Sequence, residues 1–177
     1  MLLMPQKDWQ WRYNDTYGVL SVSLGMEMEF LTPYRAKSLI PDALFQSEFS
    51  IEHARFYIEL LDRLPRVLSV TDAAIVQTAL NATAAHFMLK PQMPKSWFFD
   101  VSDVCVYSEA GKLFELKCRG ERALVLVVEN SLQATLVMLL SKELTLSDAK
   151  ILSQFETIKI MHNRLHPLRV KKHIVAA

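Results

Sequence analysis

The order of apolar and polar positions divides the chain into strand-like and helix-like stretches. Near the start, residues 9–13, 19–24 and 26–30 alternate apolar with polar side chains. A period of two residues is typical of half-buried strands. Turn-forming residues at 14–18 and Gly25 separate these stretches. The pattern predicts an antiparallel meander.

Two helical stretches follow the meander. Ser50 is a suitable N-cap for a helix whose apolar residues recur at helical spacing over 51–61, and Pro65 is expected to end it. A second helix is expected to begin at 69–71. It should end near Leu89, because the residue before Pro91 disfavours the α conformation.

After two closely spaced prolines the pattern returns to β. The run 124–128 is rich in β-branched residues and predicts a central strand that is buried on both faces. Residues 142–152 fit either strands or a helix, whereas apolar spacing over 155–165 predicts a last helix. The candidate strands are 97–107, 112–118, 122–129 and 133–140.

These elements predict an α+β fold with two small domains. Residues 1–92 would form an N-terminal α/β domain of antiparallel strands plus two main helices. Residues 93–177 would form a C-terminal domain, a twisted antiparallel β-barrel-like sheet closed by one helix and followed by a basic tail. The barrel is expected because a short sheet curls to protect its edges.

The composition narrows the class of protein. Of 177 residues, 51% are apolar and 22% are charged, so the chain is too apolar to be disordered. Two cysteines cannot form a secreted disulfide framework, and free thiols are typical of a reducing cytosol. No apolar run reaches the roughly 18 residues of a membrane span, and no signal peptide is recognised. We expect a cytoplasmic protein without membrane insertion.

The charge is distributed unevenly, although the whole chain carries only +1. Residues 1–92 contain 8 basic and 10 acidic side chains, and residues 93–177 contain 12 basic and 9 acidic ones. The basic excess lies near the C-terminal end. A patch of this modest size fits an acidic protein surface at least as well as nucleic acid.

The motifs of common enzyme classes are missing from the sequence. With four scattered glycines there is no nucleotide-binding loop and no GxSxG elbow. His162 and His166 are four residues apart but have no third metal ligand nearby, and Cys105 and Cys118 are predicted to be small buried hydrophobes. We therefore predict no enzyme activity, no cofactor and no metal.

The most distinctive segment runs from Lys90 to Trp97. Its two prolines stiffen the backbone, and Lys90 and Lys95 flank Met93 and Trp97. A pre-ordered strip with an apolar centre and cationic edges loses little entropy on docking, which favours a protein-binding hot spot. The alternative is an interdomain linker whose Met93 and Trp97 pack into the core.

This segment also carries a family resemblance. Residues 89–97, Leu-Lys-Pro-Gln-Met-Pro-Lys-Ser-Trp, resemble the central signature of the ZapC family. These are bacterial cytosolic cell-division proteins that associate with the Z ring. Shorter matches occur in the same order along the chain: Trp9-x-Trp11 with Tyr13, Arg35-x-Lys37 leading to 41–43, residues 126–129, and residues 158–161 with Arg164, Leu165 and Pro167.

The resemblance implies a non-enzymatic protein that binds FtsZ, the tubulin-like GTPase, and bundles its filaments laterally in septation. It implies two domains that each bear a pocket, the second apolar with a basic rim formed by Lys90, Lys95 and Arg164. Val22 would lie in the N-terminal strand region implicated in bundling. We further expect a monomer, and a last helix that folds back to place Arg164 beside the double-lysine segment.

One alternative function stays open at this point. Eight methionines make an adaptable apolar pocket plausible, so the chain is also consistent with a carrier or sensor for a lipid or another small molecule. Nucleic-acid binding is not predicted, because no RNP-type aromatic strand motif is present.

Overall fold

The computed structural model describes residues 1–169. Its N-terminal half begins with the predicted antiparallel meander, extended by one further strand. The strands are β1 Gln10–Asn14, β2 Val19–Ser23, β3 Glu29–Leu31 and β4 Ser47–Glu48. The sheet has the order β3-β2-β1-β4, and Trp11 lies opposite Val22 in the β1–β2 register.

Two helices follow the sheet, α1 at Ile51–Val67 and α2 at Asp72–Met88. The predicted N-cap Ser50 is confirmed, and Thr71 is the N-cap of the second helix, whose start was expected at 69–71. The side chains of Ser50 and Thr71 each accept a hydrogen bond from the third backbone N–H of their helix. The predicted end of α1 at Pro65 is wrong. A proline removes only its own N–H donor, and the next turn is still closed by Leu68 N–H bonding to the Leu64 carbonyl. Within residues 1–169, neither helix is long and apolar enough to cross a membrane.

The C-terminal half contains six strands: β5 Leu113–Cys118, β6 Glu121–Asn130, β7 Ala134–Leu139, β8 Glu143–Ser147, β9 Lys150–Ser153 and β10 Thr157–Met161. Four of them form an antiparallel sheet with the order β10-β7-β6-β5, and β8 and β9 form a separate hairpin. The α+β fold class is therefore confirmed, as are three of the four predicted strands and the buried run 124–128. The ambiguous residues 142–152 form the hairpin.

The predicted closing helix over 155–165 is wrong. Thr157–Met161 is strand β10, which pairs with β7 along its full length, and only a 3-10 turn at His162–Arg164 follows. Ile158 and Ile160 are buried whereas Lys159 between them is partly exposed, so the strand period decides the conformation. The apolar residues of this segment fit both the strand period and the helical period, and the helical fit was a coincidence.

The sheet does not close into a barrel within residues 1–169. Its two edges are covered by other segments instead. At the outer edge of β10, the carbonyl of Lys159 accepts the backbone N–H of Lys95. At the edge of β5, Glu115 and His166 each donate a backbone N–H to the carbonyl of the other. Coverage by loops protects an edge as closure would, which is why the barrel prediction failed.

The strand predicted for residues 97–107 is also wrong. Residues 96–98 form a 3-10 turn, and irregular backbone continues to β5. Phe99 is buried beneath the sheet, whereas Cys105 is exposed, contrary to the expected burial of both cysteines. The basic tail beyond Arg169 lies outside the described residues.

The two halves share one apolar core. One face of the C-terminal sheet packs against the helices through alternate residues of β6 such as Leu124, Leu126 and Val128. The opposite face, with Val125 and Val127, packs under the β8–β9 hairpin. The boundary between residues 92 and 93 stays a prediction, since residues on both sides of it contribute to the first cluster.

Candidate functional site

The segment that links α2 to β5 runs along the outer edge of β10. The backbone N–H of Lys95 donates to the carbonyl of Lys159 at 2.8 Å. The N–H of Met161 donates to Oγ of Ser96 at 2.8 Å, and Nε2 of Gln92 donates to Oγ1 of Thr157 at 2.8 Å. These bonds fix residues 91–98 on the sheet, so their side chains are displayed from an ordered backbone.

Arg164 lies against the same segment. Its Nε donates to the carbonyl of Ser96 at 3.1 Å, and its Nη1 donates to Oδ1 of Asn163 at 2.8 Å. The proximity expected from the sequence is therefore present, although a strand and a 3-10 turn produce it and not a helix. The two hydrogen bonds hold the guanidinium beside the segment.

Two apolar side chains of this segment face solvent. Met93 is 80% exposed and Trp97 is 70% exposed. The Trp97 ring lies 5.5 Å from that of Phe98, and Nζ of Lys150 lies 5.8 Å from the centre of the Phe98 ring. We use the term connector surface for Met93, Lys95, Trp97, Lys150 and Arg164. Its exposed apolar centre rules out the interpretation that Met93 and Trp97 are core residues of a linker.

The connector surface concentrates positive charge. Proximity to the Lys95 side chain, followed by partial burial, lowers the pKa of Lys150, while Glu156 acts in the opposite direction. Two neighbouring ammonium groups repel each other in the free protein. An anionic partner relieves that repulsion, so the arrangement favours an acidic ligand over a neutral one.

Lys90 does not belong to this surface. It lines a separate groove with Arg35 and Lys37, whereas Arg164 lines a shallow depression with Gln133 and Met161. Among the described residues, Lys90 and Arg164 thus line different cavities, and one apolar pocket rimmed by Lys90, Lys95 and Arg164 stays a prediction. The cations are divided between two adjoining regions because the chain after α2 runs beside the loop at 33–38. The backbone N–H of Lys90 donates to the carbonyl of Ser38 in that loop.

Sequence reasoning missed three basic residues of these regions. Lys150 lies in the stretch whose secondary structure was ambiguous, so its face could not be assigned. Arg35 and Lys37 were noticed only as part of a family match. Their signal was the Arg-x-Lys spacing itself, but only the tertiary fold brings that loop next to Lys90.

Val22 lies in the interior. Its side chain is fully buried in β2, opposite Trp11 on one side and Phe30 on the other. A folded chain cannot present this side chain to a partner. Any effect of a substitution here acts through the N-terminal sheet.

A further cavity among the described residues has arginines that are already paired with acidic side chains. This cavity of about 490 Å³ lies near the end of α1 and is lined partly by Arg63 and Arg66. Both are engaged, Arg63 with Glu109 and Arg66 with Asp62, so this cavity does not specifically support the carrier alternative. Within residues 1–169, no three His, Cys, Asp or Glu side chains converge as a metal site requires.

Comparison with known proteins places this architecture in one family. Residues 2–90 match the N-terminal model of cell-division protein ZapC, and residues 91–171 match its C-terminal model. The chain is 74% identical to cell division protein ZapC of Shewanella oneidensis over 177 residues, which is 100% of both chains. It is 71% identical to that of Shewanella woodyi, over 100% of this chain and 98% of the relative. It is 45% identical to that of Ferrimonas balearica, with both chains fully covered. The chain therefore belongs to the ZapC family of cell-division proteins.

Proposed function

We propose that this protein binds FtsZ in the cytoplasm at the division site and promotes lateral bundling of its filaments, without catalysing a reaction. Membership of a cell-division family supports a role in division. FtsZ as the partner is what the ZapC resemblance implies. The observation that carries the proposal is the connector surface, in which ordered cations flank exposed Met93 and Trp97.

In this proposal the apolar groups supply most of the binding free energy, and the charged groups guide the approach and orientation of the partner. Burying an exposed tryptophan at the centre of an interface is among the strongest single contributions to binding, about 2 kcal/mol or more on truncation. Lys95, Lys150 and Arg164 at the margin would steer an acidic surface and fix its orientation. The backbone hydrogen bonds to β10 lower the entropy lost on docking.

Bundling requires a second contact, because one site can only decorate a filament. We propose a monomer that uses both halves. In the N-terminal half the turn between β2 and β3 carries Met26, which is 94% exposed, and Met28, which is 50% exposed. We propose this turn, and not the buried Val22, as the apolar surface that contacts a second filament.

The first test is pelleting with polymerised FtsZ. Lys95→Glu and Trp97→Ala should each reduce the amount of protein that sediments with the filaments. The affinity of the tryptophan variant should fall by about 30-fold or more, which corresponds to about 2 kcal/mol. Both side chains are outside the core, so far-UV circular dichroism and the melting temperature should be unchanged.

Matched controls are available in the N-terminal half. Arg12→Glu repeats the charge reversal at an exposed position of β1, and Tyr17→Ala removes an aromatic ring that is 63% exposed. Both should sediment like the wild type. Co-sedimentation of Lys95→Glu and Trp97→Ala at the wild-type level would refute the assignment of this surface.

A further inference from the structure

A basic groove lies beside the connector surface. Its walls are the loop at 33–38, residues 89–92, and the turn from β9 to β10 at 153–157. The first two walls are joined by backbone bonds, from Lys90 N–H to the Ser38 carbonyl and from Ile40 N–H to the Met88 carbonyl, both at 2.9 Å. The groove encloses about 590 Å³, which is within the range of ligand sites, roughly 300–1,000 Å³.

The charges of this groove are not satisfied internally. Arg35, Lys37 and Lys90 are exposed, and within residues 1–169 none of them forms an ion pair with a carboxylate. The acidic side chain of the lining, Glu156, accepts the backbone N–H of Ser153 at 3.0 Å. Three cations therefore face one carboxylate, and the groove attracts an anion. The cavity near α1 differs, since its arginines already have acidic partners.

The lining favours an extended peptide over a nucleotide. The aromatic residue at its floor, Tyr34, is buried, and its hydroxyl donates to the carbonyl of Phe155 at 2.7 Å. Burial raises the pKa of Tyr34 far above its usual value, so this hydroxyl stays neutral. No exposed ring in this lining offers a face for base stacking, and no glycine-rich loop cradles a phosphate. The cations instead lie on two adjoining walls, Arg35 and Lys37 on one and Lys90 on the next, and this spread suits carboxylates spaced along an extended chain.

We infer that the basic groove binds an extended acidic segment of a protein partner, with Arg35 and Lys37 as binding residues on one wall and Lys90 on the next. The segment would continue along the connector toward Met93, three residues beyond Lys90. Only the identification of FtsZ as the protein that supplies this segment rests on the proposed function.

The experiment measures fluorescence anisotropy of a short fluorescein-labelled peptide of Asp and Glu with the full chain. Arg35→Glu combined with Lys37→Glu should weaken binding about tenfold or more, and added salt should weaken the wild type more than this variant. Lys7→Glu combined with Arg12→Glu makes the same charge change at exposed positions elsewhere and should bind like the wild type. Circular dichroism checks that all chains are folded.

Three results would overturn the inference. The first is equal loss of affinity in both double variants, which would show a general charge effect. The second is displacement of the peptide by inorganic phosphate at the same total charge concentration, which would show a small-anion site. The third is equally tight binding of a labelled oligouridylate with the same dependence on Arg35 and Lys37.

Pelleting with FtsZ separates this inference from the proposed function. If the wild-type chain binds the acidic peptide but does not sediment with FtsZ filaments, the groove assignment stands and the proposed function fails. If FtsZ sediments the chain but the acidic peptide does not bind, the groove assignment fails and the proposed function stands.

Discussion

At the scale of single residues, the hydrogen bonds that His53 accepts keep its own imidazole neutral. Its Nδ1 accepts two hydrogen bonds, from Nε1 of Trp11 at 2.9 Å and from the backbone N–H of Ser50 at 3.0 Å. A protonated Nδ1 could accept neither. Burial lowers the pKa of His53, and His86 acts in the same direction, whereas Glu52 and the backbone at Glu48 oppose it. The fold of the N-terminal half therefore requires a neutral imidazole.

This requirement predicts acid sensitivity. In the unfolded chain His53 takes up a proton near pH 6.5, whereas the folded chain resists it, so the free energy of unfolding should fall as the pH drops below about 6.5. His53→Gln keeps a side chain suited to the third position of a capping box and removes the titration. Urea unfolding between pH 5 and 8 should show a smaller acid loss in this variant. The same pH dependence in both chains would contradict the assignment.

At the scale of elements, strand β2 and its following turn have different roles. Val22 lies inside the sheet, while Met26 and Glu27 adopt left-handed backbone with φ of 46° and 64° and turn the chain outward. The strand therefore builds the domain, and the turn presents apolar surface. The family resemblance implied only that the strand region around Val22 takes part in bundling.

We predict that bundling depends on the turn. Met26→Asn combined with Met28→Ser should keep binding to FtsZ but reduce bundling, seen as lower light scattering and less low-speed sediment. Asn is chosen because it tolerates left-handed backbone.

Val22→Ala should lower the free energy of unfolding by about 2 kcal/mol, yet this variant should still bundle filaments below its melting temperature. Val22→Pro should lose both, because it breaks the central strand's hydrogen bonds. A stable Val22→Ala chain that binds FtsZ without bundling would contradict this view.

At the scale of the whole molecule, Tyr34 joins the two halves. Its hydroxyl reaches the carbonyl of Phe155, 121 residues away, across the core that α2 shares with the C-terminal sheet. Phe155 itself has a φ of 70°, which costs energy for a residue with a side chain. The tyrosine hydrogen bond helps hold this turn and thereby shapes the basic groove.

Tyr34→Phe should therefore destabilise the chain by about 1–3 kcal/mol, because a buried carbonyl loses its donor. Unfolding in urea should remain one transition, with coincident curves from tryptophan fluorescence and circular dichroism, since the halves share a core. Tyr17→Phe, which removes an exposed hydroxyl, should change stability by no more than about 0.5 kcal/mol. Two separate transitions in the wild type would instead favour independently folding domains.

The sequence by itself determined the features whose physics is local. The caps at Ser50 and Thr71, the end of α2 before Pro91 and the buried run 124–128 all follow from backbone preferences and side-chain periodicity within a short window. Only the tertiary structure decided the rest. Residues 157–161 became a strand because β7 offered hydrogen-bonding partners, and the connector became irregular because it covers the edge of that strand. The cations fall into the connector surface and the basic groove because segments far apart in sequence contact one another in the fold. No local sequence pattern encodes those contacts.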